Sequence, residues 1–317
     1  MDKTSYSVIL EGVNLRPGDV QTLEKCLESL RDQGEALAGA REVVLMEAGH
    51  ISDEAWARVA HIYPWLERKR IPSSTGYYEA KTAGLDQTTG DIVVFADSDN
   101  VYKPQWLESL LAPFQGPRVE IVTGETAVDL VDLIGFAYAV GFYFPRFSSE
   151  TGMRTVETYF SNNVAFRRSC LQRMPIPAGL PLFRGNEYLH SLTLRGEGVT
   201  IWKTPRARAV HGSPASLGEI SERFLHRGAD RVALLRRPEE PLRRLQRPDT
   251  LPSYLAGLGR IALENAAEPF QRLASILRED PSTLKYVPAG IPLVLWLNAL
   301  SVVGSVIETA KPGWGAS

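Results

Sequence analysis

The chain has 317 residues, with 35 Lys+Arg against 37 Asp+Glu and a net charge of -2. That length builds one large or two small domains around a buried core, and 44% apolar with 23% charged residues excludes wholesale disorder. Two cysteines, Cys26 and Cys170, exclude a disulfide framework and a four-cysteine zinc site, and each reads as a small core residue of a reducing compartment. The apolar run within the first eleven residues is too short for a secretory signal peptide. Near-neutrality argues against a nucleic-acid partner, yet it averages unequal parts. Residues 1–100 hold 10 basic and 17 acidic side chains, residues 201–247 hold 11 basic and 5 acidic ones, and Val287–Ile307 is 21 residues without a charge.

In chain order, Ser7–Leu10 reads as a strand, and Asp19–Leu30 as a helix with Val20, Leu23, Leu27 and Leu30 on one face. Val43–Met46 is a second strand; Ser52 caps a helix through Ala60 with Asp53 and Glu54 in its first turn. A short strand over Leu66–Ile71 and a helix over Tyr77–Leu85 follow. Ile92–Ala96 is a continuous apolar run, the pattern of a strand buried on both faces. This alternation predicts an α/β fold, with a doubly wound, mostly parallel sheet between helices. Beyond Pro104, a helix to about Phe114 and a strand over Val119–Val122 are expected. Ala127–Phe147, rich in aromatic residues, reads either as a buried core helix or as a wall lining an acceptor site. Residues 215–235 read as helical. Pro238, Pro241, Pro248 and Pro252 punctuate an Arg-rich connector, and a second helical region covers Tyr254–Leu277 with an interruption near Pro269.

Ligands of such sheets bind beyond the carboxyl ends of the strands. Glu11, Glu47 and Asp97-Ser98-Asp99 each follow an apolar strand, and three acidic strand ends suit a metal-dependent site. Two carboxylates at i and i+2 leave a strand on the same side, so Asp97 and Asp99 can reach one hard divalent cation. Such a cation commonly bridges protein carboxylates to substrate phosphates. The Asp-x-Asp pattern alone is weak; its place after an apolar strand makes it informative.

The order of Glu47, Gly76–Gly84 (GYYEAKTAG), Gly90–Asn100 (GDIVVFADSDN), Phe160–Arg168 (FSNNVAFRR), Gly185–Leu189 (GNEYL) and the strand from Val199 to His211 resembles the family-2 glycosyltransferases. The resemblance covers roughly residues 5–235, and its specificity lies in the order of the motifs. It implies a GT-A fold over residues 1–235, with a nucleotide-binding half (1–100) and an acceptor half (101–235). Residues 236–284 then form a connector and helical region, and 285–317 a hydrophobic membrane-associated segment. It further implies an inverting, metal-dependent transfer of sugar from a nucleotide-sugar donor to a hydroxyl acceptor. Asp97, Asp99 and His211 match the positions that hold Mn2+ or Mg2+. Glu11, Glu47, Lys81, Asp97, Ser98 and Arg227 fall with the nucleotide-sugar contacts, Arg223 and Arg227 on a segment over the phosphates, and Asn163 on the acceptor side. Glu187 matches the catalytic base, which takes the acceptor's proton. The sequence departs from the family pattern at Glu11 (usually proline), at Ala48 (usually a second acid) and at Asn186-Glu187 (usually Glu-Asp).

No G-x-G-x-x-G follows the first strand, and there is no phosphate-binding P-loop, nucleophile elbow or H-E-x-x-H helix. A non-catalytic glycosyltransferase-like binding protein at the membrane is the alternative reading, and a sugar nucleotidyltransferase a more remote one. Val287–Ile307 is long enough to cross a bilayer, although Pro288, Pro292 and Asn298 count against a plain span, and a docking helix is the other reading. Arg236, Arg237, Arg243, Arg244 and Arg247 suit an anionic cytoplasmic leaflet. A lipid-linked acceptor would follow.

Overall fold

The structure is a computed structural model and describes residues 4–116, 118–141, 144, 146–237 and 269–316. Strands β1 (Tyr6–Glu11), β2 (Glu42–Glu47), β3 (Glu67–Arg70) and β4 (Ile92–Asp97) lie parallel in the order β3-β2-β1-β4. Their apolar runs are unbroken because both faces are covered, and alternate residues go to different cores. Val8, Leu10, Leu45 and Val94 pack with helices α1 (Val20–Arg31) and α3 (Asp53–Ile62), which follow β1 and β2, with the short α2 (Glu35–Ala38) between. Ile9, Val44, Met46, Val93 and Phe95 pack with α4 (Tyr77–Asp86) on the other side. The predicted Ser52 cap forms, its Oγ accepting from Ala55 N at 3.2 Å, and Asp19 caps α1 in the same way, its carboxylate accepting from Thr22 N at 3.1 Å.

Beyond β4 the sheet turns antiparallel. Its strands are β5 (Asn100–Tyr102), β6 (Ile121–Val128), β7 (Arg154–Val156), β8 (Asn163–Arg167) and β9 (Ile201–His211), and its path runs β4-β8-β6-β9-β5 with β7 paired to β9. The sheet is thus mixed, parallel over β1–β4 and antiparallel beyond. Helices α5 (Trp106–Leu111), α7 (Arg168–Arg173) and α8 (Asn186–Gly196) also belong to this part. The strand expected at Val119–Val122 begins two residues later and continues through polar Thr123, Glu125 and Thr126. These polar groups are buried because they have partners: Thr123 donates to Asn163 O at 2.9 Å, and Glu125 receives Lys203 Nζ at 2.9 Å.

The chain divides into two compact units. The first holds residues 1–126, 147–179 and 186–212; the second holds 127–146, 180–185 and 213–317. In the second unit α6 (Leu133–Gly141), α9 (Leu217–Leu235), the helical residues 269–279 and α10 (Val287–Ala310) share a core of Phe136, Tyr138, Ile220, Phe224, Ile276, Val294 and Leu297. Of the two readings of Ala127–Phe147, the described part is a core helix of this unit. The connector prolines, Arg243, Arg244, Arg247 and the start of the Tyr254–Leu277 region lie outside the described residues.

Candidate active site

Parallel pairing brings the acidic strand ends together. Glu11 on β1 lies opposite Asp97 on β4 and opposite Met46 on β2, so Glu47 stands one residue beyond in the adjacent strand. All three are buried, a costly place for carboxylates without partners. Glu11 Oε1 accepts from Asn14 N at 3.0 Å. Glu47 Oε1 accepts from His50 N and from Ile51 N, whereas its Oε2 has no hydrogen-bond partner among the described residues.

Asp97 is held from both sides. Lys81 Nζ, from the middle of α4, donates to Oδ1, and Tyr77 OH donates to Oδ2 at 2.8 Å. Lys81 is 0% exposed and also donates to Ala96 O at 3.3 Å, with its ammonium 4.8 Å from the Tyr77 ring centre. A dication would compete with that ammonium for the same carboxylate. Among the described residues no three His, Cys, Asp or Glu side chains converge as a ligand set. Of the expected ligands Asp97, Asp99 and His211, the structure sets Asp99 beside His211, while the Asp97 carboxylate faces the Lys81 ammonium.

The pair is assembled by β5, a strand the sequence did not betray. It begins right after Asp99 and pairs antiparallel with the end of β9, in the register Asn100 to His211. Gly212 N donates to Asp99 O at 3.1 Å, and His211 Nε2 lies 3.5 Å from Asp99 Oδ2. His211 Nδ1 sits 2.6 Å from Gly212 O. With the proton assigned to Nδ1 for that bond, the Nε2 lone pair faces the Asp99 carboxylate. Asp99 Oδ1 is buried without a hydrogen-bond partner among the described residues, as are Ser98 Oγ and Asn100 Oδ1. Buried polar atoms left open on three consecutive residues mark a place built for an external partner. One carboxylate and one imidazole suit a divalent cation that takes its other ligands from phosphate and water.

Glu187 stands in the first turn of α8, half-buried, and its Oε2 accepts from Tyr78 OH. Adjacent tyrosines of α4 therefore grip the two acids, Tyr77 at Asp97 and Tyr78 at Glu187, with their rings edge to face at 4.8 Å. Both belong to the Gly76–Gly84 motif, but only the fold reveals which carboxylates they reach. Asn186, before the expected base, donates to Pro177 O at 2.6 Å.

Asn163, expected on the acceptor side, is fully buried, accepts from Trp106 Nε1 at 2.8 Å and donates to Glu125 O and Ala207 O at 3.0 Å each. Its amide pins β8 to the neighbouring strands. Arg223 and Arg227 lie on α9 in the second unit, where Arg223 donates to Tyr138 OH at 3.1 Å and Arg227 to Gly141 O. Burial, with Asp99 and Asp97 adding to it, holds the Cys26 thiol well above its ordinary range, and burial pushes Cys170 up to about 12. Both are protonated core groups rather than nucleophiles.

Residues 18–173 match the family model "Glycosyl transferase family 2". An N-acetylglucosaminyltransferase of Rhizobium meliloti (strain 1021) is 27% identical over 190 residues, covering 57% of this chain and 43% of its own length. A pre-mycofactocin glycosyltransferase of Mycobacterium tuberculosis is 26% identical over 266 residues, covering 78% of this chain and 55% of its own. The chain thus spans about half the length of the curated relatives it matches. Among solved structures, the mannosyltransferase PcManGT of Pyrobaculum calidifontis, in complex with GDP-Man and Mn2+, superposes with a TM-score of 0.58 at 17% identity. That superposition covers 96% of this chain and 87% of the mannosyltransferase and establishes a shared fold. Over residues 18–173, this chain is similar to the family-2 glycosyltransferases.

Proposed function

We propose that this chain transfers a sugar from a nucleotide-sugar donor to a hydroxyl acceptor, with inversion at the anomeric carbon and with Mn2+ or Mg2+ held by Asp99 and His211. The observation that carries the reading is the Asp99 carboxylate: one oxygen open and buried, the other beside the His211 Nε2, at the carboxyl edge of the parallel strands. A divalent cation bound there would supply Lewis-acid stabilisation of the charge developing on the departing diphosphate.

The chain's own residues divide the remaining work. The open Oε2 of Glu47 accepts a hydrogen bond from the nucleoside, as do Ser98 Oγ and Asn100 Oδ1 from the donor. Lys81 and Tyr77 fix Asp97, which holds the strand end in shape. Glu187 takes the acceptor hydroxyl's proton while that oxygen bonds to the anomeric carbon. The bond from that carbon to the diphosphate oxygen breaks on the opposite face, and its electron pair leaves with the nucleoside diphosphate. The apolar α10 supports a place at a membrane, and the reading adds its cytoplasmic face and a lipid-linked or polysaccharide acceptor.

The test is sugar release or transfer from a panel of nucleotide sugars with Mn2+ or Mg2+, in wild type, Asp99→Ala and Glu187→Gln. Turnover that needs the cation and collapses in both variants is expected. Full activity in either variant removes that residue from the mechanism, and donor binding without turnover in wild type favours the non-catalytic reading. Nucleotide preference follows from which nucleoside diphosphate raises the melting temperature most.

A further inference from the structure

Helix α10, Val287–Ala310, lies within a stretch long and apolar enough to cross a membrane. Its two sides differ sharply. The inner side is Gly290, Val294, Leu297, Gly304 and Glu308, all buried and spaced at intervals of three, four and seven residues, so they form one stripe. The outer side turns Leu295 (66% exposed), Val302 (64%), Val306 (63%), Trp296 and Val303 outward.

The inner stripe is fastened to α9 at backbone range. A Cβ added to Gly228 would fall 1.8 Å from Ser301 O, and one added to Gly304 would fall 1.9 Å from Leu225 O. Only glycine permits the two helices to touch in this way. Ser305 Oγ donates to Gly228 O at 2.9 Å across the same crossing. Farther on, the Glu308 carboxylate accepts from Gly313 N at 2.8 Å and Gly315 N at 3.2 Å, and Arg236 donates to Glu308 O at 3.2 Å. The partner helix α9 carries Glu219, Glu222, Arg223, Arg227, Asp230 and Arg231. Carrying α10 across a bilayer would either drag those charges into hydrocarbon or strip the helix from α9 and expose Glu308 to lipid.

We propose that α10 does not span but lies in the plane of an anionic bilayer, with α9 behind it and Leu295, Trp296, Val302, Val303 and Val306 set among the lipids. This rests on the membrane placement proposed above and sharpens it. The occupant is argued from chemistry. From Tyr286 to Ala310 the only charged side chain is Glu308, which is buried, so about 36 Å of helix shows water no charge. Asn298 and Thr309 return their donors to Val294 O and Ser305 O within the helix. Protein interfaces carry a polar rim and about one hydrogen bond per 100–200 Å2, and this side offers almost none. Exposed Lys285 and Lys311 bracket the helix, placing cations where headgroup phosphates would lie. Exposed Leu284, in the turn that leads into the helix, adds apolar surface.

The test uses the purified chain with vesicles of phosphatidylcholine, with and without phosphatidylglycerol, read by flotation. Wild type should float with the anionic vesicles, and Val302→Glu with Val306→Glu should lower its partition coefficient about tenfold or more. Both valines are exposed, so the double variant should keep its melting temperature and its turnover of a soluble donor. Topology is read in an Ala310→Cys variant added to preformed vesicles, where Cys26 and Cys170 are buried and silent. A membrane-impermeant maleimide should label the introduced thiol equally before and after detergent. Protection relieved by detergent would mean a span and overturn the proposal. So would failure of wild type to float, or self-association without lipid that the double variant abolishes, which would assign the face to a second copy. Correct flotation and labelling in a chain that turns over no donor would instead defeat the glycosyl-transfer reading and leave the docking intact.

Discussion

In the first unit, Glu11, Glu47 and Asp97 sit out of water at the ends of adjacent strands with buried Lys81 of α4 against Asp97, while the longest described helix of the second unit turns valine, leucine and tryptophan outward. Burying an ionised group costs far more than exposing an apolar one, because the charge loses its hydration and must recover it from partners. A fold that buries charge at one place and leaves apolar surface bare at another departs from its stability optimum twice, and each departure points to something the chain must bind. The strand ends await polar ligands of the opposite kind, and α10 awaits a medium without water.

The comparison is broken most directly at the strand ends. Glu187→Gln removes the proposed general base and should lower kcat by about 10²–10⁴-fold, with donor binding preserved. Asp99→Ala should cost a similar factor but also abolish the effect of Mn2+ on nucleotide binding. Calorimetry with the nucleoside diphosphate, with and without Mn2+, separates the two. A cation effect that survives in Asp99→Ala would move the cation away from this carboxylate.

Next in size is stability. Lys81→Met leaves the Asp97 carboxylate buried with only Tyr77 OH to face it, and loss of one partner of a buried ion pair costs about 3–5 kcal/mol. Adding Asp97→Asn removes the stranded charge and should restore most of that loss in urea unfolding. If Lys81→Met alone changes stability by less than about 0.5 kcal/mol, the pair does not hold the strand end in shape, and Asp97 returns as a candidate metal ligand.

The second unit has one buried acid whose protonation can be followed. Asp230 accepts from Phe183 N and Arg184 N at 2.8 Å each, yet burial, with Glu308 adding, raises it to about 7. A folded-state value above the unfolded one means that the folded chain holds a proton the unfolded chain has released. This contribution is therefore present in full at low pH, lost as pH rises from about 4 to about 7, and flat above. Asp230→Asn carries no such proton. The stability of wild type minus that of the variant should fall by up to about 1.4 kcal/mol per pH unit across that window. A difference independent of pH would place the carboxyl in an environment wetter than its 6% exposure indicates.

Much of the first unit was legible because its determinants are local. The Ser52 cap, the apolar runs of β1, β2 and β4, and the acid that ends each of those three strands need only neighbours in sequence. The three residues of β5 had no such signal, since what makes them a strand is β9, more than a hundred residues away. Polar β6 was clipped because Glu125 and Thr126 look like a turn until Lys203 and Asn162 are beside them. That Lys81 meets Asp97 could not be read, because a helix residue does not announce that its four-carbon stem will reach a strand end 16 residues on. The partners of Asn163 were hidden in the same way, lying at Trp106, Glu125 and Ala207. The second unit was hidden because three separate segments build it.

The smallest expected effect concerns the link between donor acid and base. Tyr78 OH donates to the Glu187 carboxylate and holds it in one orientation. In Tyr78→Phe that donor is gone, and kcat should fall by about tenfold or less with donor binding kept. The loss is capped because Glu187 is half-buried and water replaces part of the lost bond. Tyr77→Phe provides the contrast: its hydroxyl serves Asp97, so it should weaken stability and leave kcat in place. If kcat is unchanged in Tyr78→Phe, the tyrosine does not aim the carboxylate. If both variants lower kcat alike, the two grips are coupled through the packed rings of α4.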